Sequence, residues 1–190
     1  LRLMFYNLFE YPQNLPVYRA PILKRILTEN DPDLFLVCEL LSEEGADNIL
    51  LHSLDYHPTK VFKRAPFIPN QSNSDSDMQQ LAFYNSHKLE LVATEVFPTP
   101  HRDINKYKFR LLFEDENTEN IYLYAFVAHL KSSPGRANRL QRYEMAKIVT
   151  QQLDYIEPNA YVVFAGDFNL YSSTEEAYVE LMNPENTRAF

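Results

Sequence analysis

Polar residues follow four apolar segments of the chain, and each of these segments predicts a β-strand. A charged side chain at the end of an apolar strand costs free energy unless a metal ion, a cationic partner or water compensates it. A strand that simply reaches solvent or ends in a turn is the alternative explanation at each position. The residues at these strand ends are Asn7, Glu39, His129, and the pair Asp167 and Asn169.

The last of these ends is the most distinctive. Asp167 and Asn169 follow the apolar run Tyr161-Val-Val-Phe-Ala165 and the intervening Gly166, and they lie two positions apart. Side chains at positions i and i+2 of an extended backbone point to the same face. The spacing therefore predicts that the carboxylate and the carboxamide project together from the end of a buried strand, although Gly, Asp and Asn are also common turn residues.

The residue types at the four ends indicate a particular chemistry if the ends meet in space. An oxygen-rich set suits Mg²⁺ or Mn²⁺, which keep several waters and take one or two carboxylates from the protein. Zinc would favour more His or Cys ligands, and Cys38 is expected on the opposite side of its strand from Glu39. A metal ion beside a histidine and an aspartate suits hydrolysis of a phosphate ester, in which water is oriented and charge on the phosphoryl oxygens is neutralised.

The elements that must position these residues mix strands and helices without an internal repeat. Hairpins together with helical crossovers predict a mixed sheet architecture with outer helices. A cap at Ser132-Ser133 is expected to start the third helix, where Arg136, Arg139, Arg142 and Lys147 form a solvated face. Helices are predicted over residues 20–29, 42–54, 134–156 and 174–182. Strands are predicted over residues 1–7, 34–38, 106–113, 121–128 and 161–169, with a hairpin formed by residues 81–84 and 89–97 around the turn 85–88.

Composition narrows the class of protein. The chain has 190 residues, which fits one domain, and 45% of them are hydrophobic. No apolar run reaches the roughly 18 residues of a membrane span. The net charge is −8, whereas proteins that bind DNA strongly without sequence preference usually carry an excess of basic residues. An acidic metal site also contributes negative charge of its own. No obligate protein partner is indicated. The first residue is Leu1, not Met, which is compatible with an exported bacterial protein after removal of a leader, or with a trimmed chain.

Four short motifs, in this order, resemble the endonuclease/exonuclease/phosphatase superfamily. The most specific is Ala165-Gly-Asp-Phe-Asn169, and the resemblance covers nearly the whole chain. It implies a four-layered α/β/β/α sandwich, in which two packed mixed, mostly antiparallel sheets carry helices outside. The other three motifs are Leu3-Met-Phe-Tyr-Asn7, Asp33-Leu-Phe-Leu-Val-Cys-Glu39 and Val127-Ala-His-Leu-Lys-Ser132.

The resemblance also implies roles for the strand-end residues. Glu39 and Asn7 would bind the divalent metal, Mg²⁺ or Mn²⁺, with Glu39 the more direct ligand. His129 would contact the scissile phosphate, Asp167 would orient or activate the attacking water, and Asn169 would hydrogen-bond a phosphate oxygen. Family members sometimes place phosphate-contacting side chains at the positions of Tyr84 and Arg110, for which a core tyrosine and a structural arginine are the alternatives.

The chain departs from the family pattern at its C-terminal end. Members continue with a further strand and a Ser-Asp-His-type block, whose histidine works with the aspartate of the Gly-Asp-Phe-Asn motif. No histidine here lies in that sequence position. The chain is therefore expected to be a single domain over residues 1–190 that lacks the last strand and the terminal Asp-His block, with little or no activity as a fragment.

The sequence thus predicts a divalent-metal-dependent phosphoester hydrolase, with a phosphodiesterase or endonuclease acting on nucleic acid as the leading subclass. A phosphatase of a small-molecule or lipid-headgroup phosphate is one alternative. A non-catalytic binding module on the same fold is another, which the missing terminal histidine favours and the five strand-end residues oppose. Substrate choice is expected to lie in the loop of residues 67–78, because function resides in loops on a shared fold.

Overall fold

The computed structural model describes residues 1–16, 18–55, 59–72, 77–113 and 120–185. Within these ranges the strands are β1 (Leu3–Tyr11), β2 (Leu34–Leu40), β3 (Phe62–Arg64), β4 (Gln79–Asn85), β5 (Leu89–Phe97), β6 (Ile104–Leu111), β7 (Tyr122–His129) and β8 (Tyr161–Asp167). The helices are α1 (Arg19–Asn30), α2 (Glu43–His52), α3 (Arg136–Gln152) and α4 (Glu176–Met182), and a 3₁₀ turn follows α3 at Leu153–Tyr155. None of these helices has the length and apolar character that a bilayer crossing needs.

The strands form two four-stranded mixed sheets. The first has the order β1-β2-β4-β3 and the second the order β5-β6-β7-β8. Two pairings, β1 with β2 and β7 with β8, are parallel, and the other four are antiparallel. The predicted arrangement of two mixed, mostly antiparallel sheets is therefore confirmed.

The alternation of side chains along β7 shows why the domain has layers. Leu123, Ala125 and Val127 belong to the core that the second sheet shares with β2 and β4 of the first sheet. Their neighbours Tyr124 and Phe126 face the other way, into the core beneath α3. Because a strand presents successive side chains to opposite faces, a strand with two buried faces must lie between two layers. Helices α1 and α2 cover the outer face of the first sheet, to which they contribute core residues such as Leu27 and Ile49.

The predicted hairpin of residues 81–84 and 89–97 is wrong. The turn after Asn85 carries the chain from one sheet to the other, so that β4 pairs with β2 and β3 while β5 pairs with β6. All seven residues of β4 are buried, which is the pattern of an interior strand paired on both sides. A hairpin partner on one edge would not have explained that burial.

The start of α3 also differs from the prediction. The residue before the helix is Gly135, in a left-handed conformation (φ +110°), and no side chain caps the helix. Arg142 does not belong to a solvated face, because its side chain is fully buried against Glu175. The exposed side of α3 instead carries Leu140, an apolar residue. The need to neutralise a buried carboxylate thus outweighs the apolar pattern at this end of the helix.

The strand β8 is less buried than its apolar sequence predicted. It is the last strand in the order of its sheet and pairs with β7 alone among the described residues. Tyr161 is 54% exposed, and Ala165 is the one residue of the strand that is buried. The end of this strand nevertheless positions Asp167, because the parallel register places it opposite His129.

Candidate active site

The carboxyl ends of the two parallel strand pairs meet where the two sheets face each other. Glu39, near the end of β2, and His129 and Asp167, at the ends of β7 and β8, offer ligand atoms that all lie within 4.8 Å of one another. Nδ1 of His129 lies 3.7 Å from a carboxylate oxygen of Glu39, and Nε2 of the same ring lies 3.9 Å from a carboxylate oxygen of Asp167. His129 and Asp167 lie 90 or more positions after Glu39 in the sequence. The fold brings the three residues together.

The side chain of Asn7 lies between the carboxylates of Glu39 and Asp167 and bridges them. Its Nδ2 donates hydrogen bonds to Oε1 of Glu39 (2.8 Å) and to Oδ2 of Asp167 (3.0 Å). Its Oδ1 accepts a hydrogen bond from the backbone N–H of Phe9 (2.8 Å), which fixes the orientation of the amide. The sequence expected Asn7 to supply a metal ligand, whereas in this arrangement its oxygen is turned into its own loop and its nitrogen faces the carboxylates. An amide nitrogen does not ligate a hard cation, so this arrangement predicts a positioning role for Asn7, and its role as a metal ligand stays a prediction.

This geometry predicts the effect of Asn7→Ala. Without the amide, the two carboxylates lose the bridge that separates and orients them, and Mn²⁺ affinity should fall by about 10–100-fold. Isothermal titration with Mn²⁺ measures the change. Asn14→Ala, in the loop after β1, is the matched control and should bind as the wild type does. Equal affinity in Asn7→Ala and the control would show that Asn7 has no positioning role.

A bulge in β2 aims Glu39 at the site. Around this position the pairing register of β2 is irregular with both neighbouring strands, β1 and β4. In the pairing with β4, the irregularity lies between Val37 and Leu40 of β2. Glu39 itself has φ +59°. A non-glycine residue in the left-handed region is strained, and such strain concentrates at functional sites. The strain re-aims a carboxylate that regular alternation would have sent elsewhere.

The close approach of β7 and β8 requires Gly166. A Cβ atom at this position would lie 2.1 Å from the carbonyl oxygen of Ala128, a distance that no side chain tolerates. Any larger residue would push the two strands apart just before His129 and Asp167. The glycine of the Gly-Asp-Phe-Asn motif therefore sets the distance between these two functional side chains.

Asn169 does not project beside Asp167 as strand alternation predicted. The strand ends at Asp167, and Asn169 adopts a left-handed conformation with φ +49°. Its Nδ2 donates to the carbonyl oxygen of Leu130 (3.3 Å), the residue after His129. Asn169 thus ties the segment after β8 to the segment after β7, and the regular strand ends before it.

Burial keeps His129 neutral. Desolvation is the main cause that lowers the pKa of this imidazole to about 4, and the positive charge of Arg102 adds to it, against the opposing effect of Asp167. Nδ1 is buried and has no hydrogen-bond partner among the described residues. At neutral pH the ring therefore offers one N–H donor and one lone pair, as a group that contacts a phosphoryl oxygen needs.

These pKa values predict how stability responds to acid. The pKa of His101 is also lowered to about 4, mainly by burial, whereas an unfolded histidine titrates near 6.5. Between about pH 6.5 and pH 4 the unfolded state therefore binds more protons, and the free energy of unfolding falls as pH falls, by up to about 1.4 kcal/mol per pH unit for each histidine. Urea unfolding in EDTA at pH 7.5, 6 and 5 measures this slope. His101→Asn should lower it, and the same change at exposed His52 should not; identical slopes in both variants would contradict the assignment.

Sequence reasoning missed Arg102, which lies beneath the site in the loop between β5 and β6. Its Nη1 donates to the carbonyl oxygens of His129 (3.2 Å) and Leu130 (3.4 Å). Arg102 is buried, and desolvation lowers its pKa against the opposing effect of the negative charges of Glu39 and Asp167. It therefore supplies positive charge under two carboxylates and holds the backbone that follows β7. A single buried arginine in a loop has no periodic signature, so no pattern in the sequence would have identified it.

The loop of residues 67–78 is anchored close to this arginine. The carboxylate of Asp103 accepts hydrogen bonds from the backbone N–H of Gln71 and from the hydroxyl of Ser72, each at 2.6 Å. The same hydroxyl accepts a bond from the backbone N–H of Thr99 (2.9 Å). Residues 73–76 lie outside the described residues. That substrate choice is encoded in this loop stays a prediction.

The donor atoms at the site fit a hard divalent cation. Glu39 and Asp167 offer carboxylate oxygens, and His129 offers a buried nitrogen without a hydrogen-bond partner among the described residues. Burial and the two nearby carboxylates raise the pKa of the Cys38 thiol far above its usual range, so the cysteine does not provide a thiolate. Two carboxylates and no thiolate favour Mg²⁺ or Mn²⁺ over zinc.

The structure does not bring Tyr84 and Arg110 to this group. Tyr84 pairs with Leu34, at the opposite end of β2 from Glu39, and its ring packs on Phe109 with centroids 5.2 Å apart. Arg110 forms an exposed ion pair with Glu90. These contacts match the two alternatives, a core tyrosine and a structural arginine, that the sequence left open.

Comparison with known proteins places the fold. No family model matches the chain, and no curated protein matches it in sequence. Among solved structures, D. rerio TDP2 complexed with single-strand DNA product has a TM-score of 0.63 at 17% identity, over 91% of this chain and 62% of that one. An endonuclease/exonuclease/phosphatase family protein from Bacteroides thetaiotaomicron scores 0.63 at 13% identity, over 86% of this chain and 59% of that one. The human Nocturnin catalytic domain scores 0.63 at 16% identity, over 94% and 67%.

The chain spans about three fifths of the TDP2 and Bacteroides structures that it matches. Its two mixed four-stranded sheets with helices around them are consistent with the fold of these structures. The chain therefore has the deoxyribonuclease I-like fold of the endonuclease/exonuclease/phosphatase superfamily.

Proposed function

We propose that this chain carries the active site of a divalent-metal-dependent phosphoester hydrolase, a phosphodiesterase that acts on nucleic acid by in-line attack of water on phosphorus. The observation that supports this most is the convergence of Glu39, His129 and Asp167 within 4.8 Å at the ends of strands from two sheets. Structural ion pairs do not need a strained backbone at Glu39 or an unpartnered buried nitrogen on His129. A catalytic centre explains both.

The side chains divide the chemical work according to their environments. Glu39 would hold a Mg²⁺ or Mn²⁺ ion, which when bound supplies neutralisation of the charge on the phosphoryl oxygens. Asp167, the most solvent-accessible of the three side chains, orients the attacking water. His129, neutral and buried, donates its N–H to a phosphoryl oxygen. Asn169 has a second amide hydrogen beyond the one given to Leu130, and it donates this to the phosphate.

Nucleic acid is the favoured substrate class because a structure with the same fold, D. rerio TDP2, is complexed with single-strand DNA product. The net charge of −8 opposes tight non-specific binding to a duplex. A single strand or a strand end, which is recognised through stacking as well as charge, fits this balance better.

Hydrolysis of bis-p-nitrophenyl phosphate by the full-length natural protein tests the proposal. We expect hydrolysis in Mg²⁺ or Mn²⁺, its loss in EDTA, and its return when the metal is added back. The monoester, p-nitrophenyl phosphate, should react more slowly than the diester. Preference for the monoester would favour the phosphatase alternative, and diester hydrolysis that persists in EDTA would contradict a metal-dependent mechanism.

A further inference from the structure

A cleft with a volume of about 700 Å³ is lined by the segments that follow β7 and β8 along the chain. One wall comes from the start of α3 and the other from the segment between β8 and α4. These walls continue directly from the catalytic strands, since Pro134 follows His129 by five residues and Tyr171 follows Asp167 by four. Its lining includes Pro134, Arg136, Arg139, Leu140, Tyr143 and Tyr171.

The walls of this cleft are held together by buried Arg142. Its guanidinium donates to both carboxylate oxygens of Glu175, at 2.8 and 3.1 Å. It also donates to the carbonyl oxygens of Lys131 (2.8 Å) and Ser133 (3.0 Å), in the segment that leads from the active site to α3. One side chain therefore fixes both walls, and the cleft is formed before any ligand arrives.

Tyr171 presents a preorganised aromatic surface in this cleft. The guanidinium carbon of Arg142 lies 5.2 Å from the centre of its ring, and its hydroxyl accepts a hydrogen bond from the backbone N–H of Ser133 (3.0 Å). The residue is nevertheless 56% exposed. A ring supported on one side and open on the other is a platform on which a planar group stacks, at little further cost in conformational entropy.

Positive charge accompanies this platform. Arg136 is exposed and forms no hydrogen bond or salt bridge with any residue in the described ranges. Arg139 is paired with Glu176 at 3.1 Å, and the charge of Glu175 is already matched by Arg142. The lining carries two arginines and two glutamates, and buried Arg142 behind the Tyr171 ring raises the local count to three positive against two negative charges, on a chain whose own net charge is −8. A planar group and an adjacent anion are what this combination recognises.

We propose that the cleft binds one nucleotide of a single-stranded nucleic acid, with its base stacked on Tyr171 and its phosphate beside Arg136. The proposal rests on the proposed function for its substrate class. It extends that function by placing a nucleotide that neighbours the scissile phosphate beside the start of α3. Leu140 and Tyr143 form the apolar floor against which the sugar and base pack. Duplex DNA is excluded because the base must be unstacked to reach the tyrosine.

Fluorescence anisotropy with a 5′-labelled ten-residue oligothymidylate in EDTA tests the cleft without requiring cleavage. Tyr171→Ala should weaken binding by about tenfold, because stacking of a single base has this magnitude. Tyr171→Phe keeps the ring and should bind within about twofold of wild type. Arg136→Glu should weaken binding by about tenfold and reduce the slope of log K against log salt concentration by about 0.7, the value for one phosphate contact on a single strand.

Two control variants match these changes away from the cleft. Arg25→Glu makes the same charge change at an exposed position on α1, and Tyr155→Ala removes a tyrosine that is 78% exposed beyond the end of α3. Both should bind as wild type. Hydrolysis of bis-p-nitrophenyl phosphate should also be unchanged in these two control variants.

The outcomes separate the two proposals. Loss of oligonucleotide binding in Tyr171→Ala and Arg136→Glu supports the cleft even if no diester is hydrolysed. Wild-type binding in both variants overturns it, whether or not hydrolysis is found. Equal loss in Tyr171→Phe and Tyr171→Ala would also overturn it, because the hydroxyl contact to Ser133 and not the ring surface would then be responsible. Binding of phosphatidylcholine vesicles that falls in Arg136→Glu while oligonucleotide binding does not would assign the cleft to a lipid headgroup instead.

Discussion

Glu39→Gln is expected to lower kcat/KM for a phosphodiester by about 10³-fold, which corresponds to about 4 kcal/mol of transition-state stabilisation. Glutamine has the same shape as glutamate and keeps a hydrogen-bonding oxygen for Asn7, which donates to Glu39 at 2.8 Å. The substitution therefore removes negative charge and little else. With one of the two carboxylates neutral, the site loses most of its attraction for a divalent ion, and with it the neutralisation of the phosphoryl oxygens.

The matched control for this prediction is Glu90→Gln. Glu90 is an exposed carboxylate on β5 whose partner is Arg110, and its loss should leave kcat/KM within about twofold. Circular dichroism and urea unfolding establish that both variants fold. A Glu39→Gln protein that is folded and hydrolyses the diester at a rate within about tenfold of wild type would remove Glu39 from the mechanism.

Arg142→Met is expected to reduce the free energy of unfolding by about 3–5 kcal/mol. Methionine fills similar volume, but it leaves the buried Glu175 carboxylate without its two guanidinium donors and leaves two backbone carbonyl oxygens without the hydrogen bonds that Arg142 gives them. An uncompensated buried charge is among the most costly single defects in a protein interior. Urea unfolding at neutral pH in EDTA measures the loss, independently of any bound metal.

A comparison with Arg139→Met isolates the effect of burial. Arg139 also pairs with a carboxylate, Glu176, but both side chains are about half exposed, so its loss should cost only about 0–1 kcal/mol. In the double variant Arg142→Met with Glu175→Leu, the buried charge is gone and much of the stability should return. Similar losses in Arg142→Met and Arg139→Met would contradict the view that the Arg142–Glu175 pair fixes this part of the fold.

The sequence predicted where the functional side chains lie because strand ends leave a clear signature. A charged or polar side chain at the end of an apolar strand costs free energy unless a partner compensates it. The sequence pattern alone therefore identifies Glu39, His129 and Asp167 as candidates. The meeting of these ends follows from the two parallel pairings, β1 with β2 and β7 with β8. The resemblance to a known superfamily supplied the packing of the two sheets, which the spacing of residues could not.

Other features escaped prediction for physical reasons that differ from case to case. The turn after Asn85 looked like that of a hairpin, because a short polar loop does not reveal whether the next strand pairs locally or joins a second sheet. The left-handed conformations of Glu39 and Asn169 oppose local preference and are imposed by tertiary contacts. The solvated position predicted for Arg142 was wrong because a helical pattern shows only which face a residue occupies. It does not show that a carboxylate from another element, here Glu175, packs against that face.

The most direct test of the central claim, that Glu39 holds a divalent cation in the group that it forms with His129 and Asp167, is isothermal titration of the protein with Mn²⁺. The structure predicts one strong site per chain in the wild type, retained in Glu90→Gln and lost in Glu39→Gln and Asp167→Asn. Binding of Mn²⁺ with unchanged stoichiometry and affinity in both of the last two variants would contradict the claim, because the ion would then be held elsewhere.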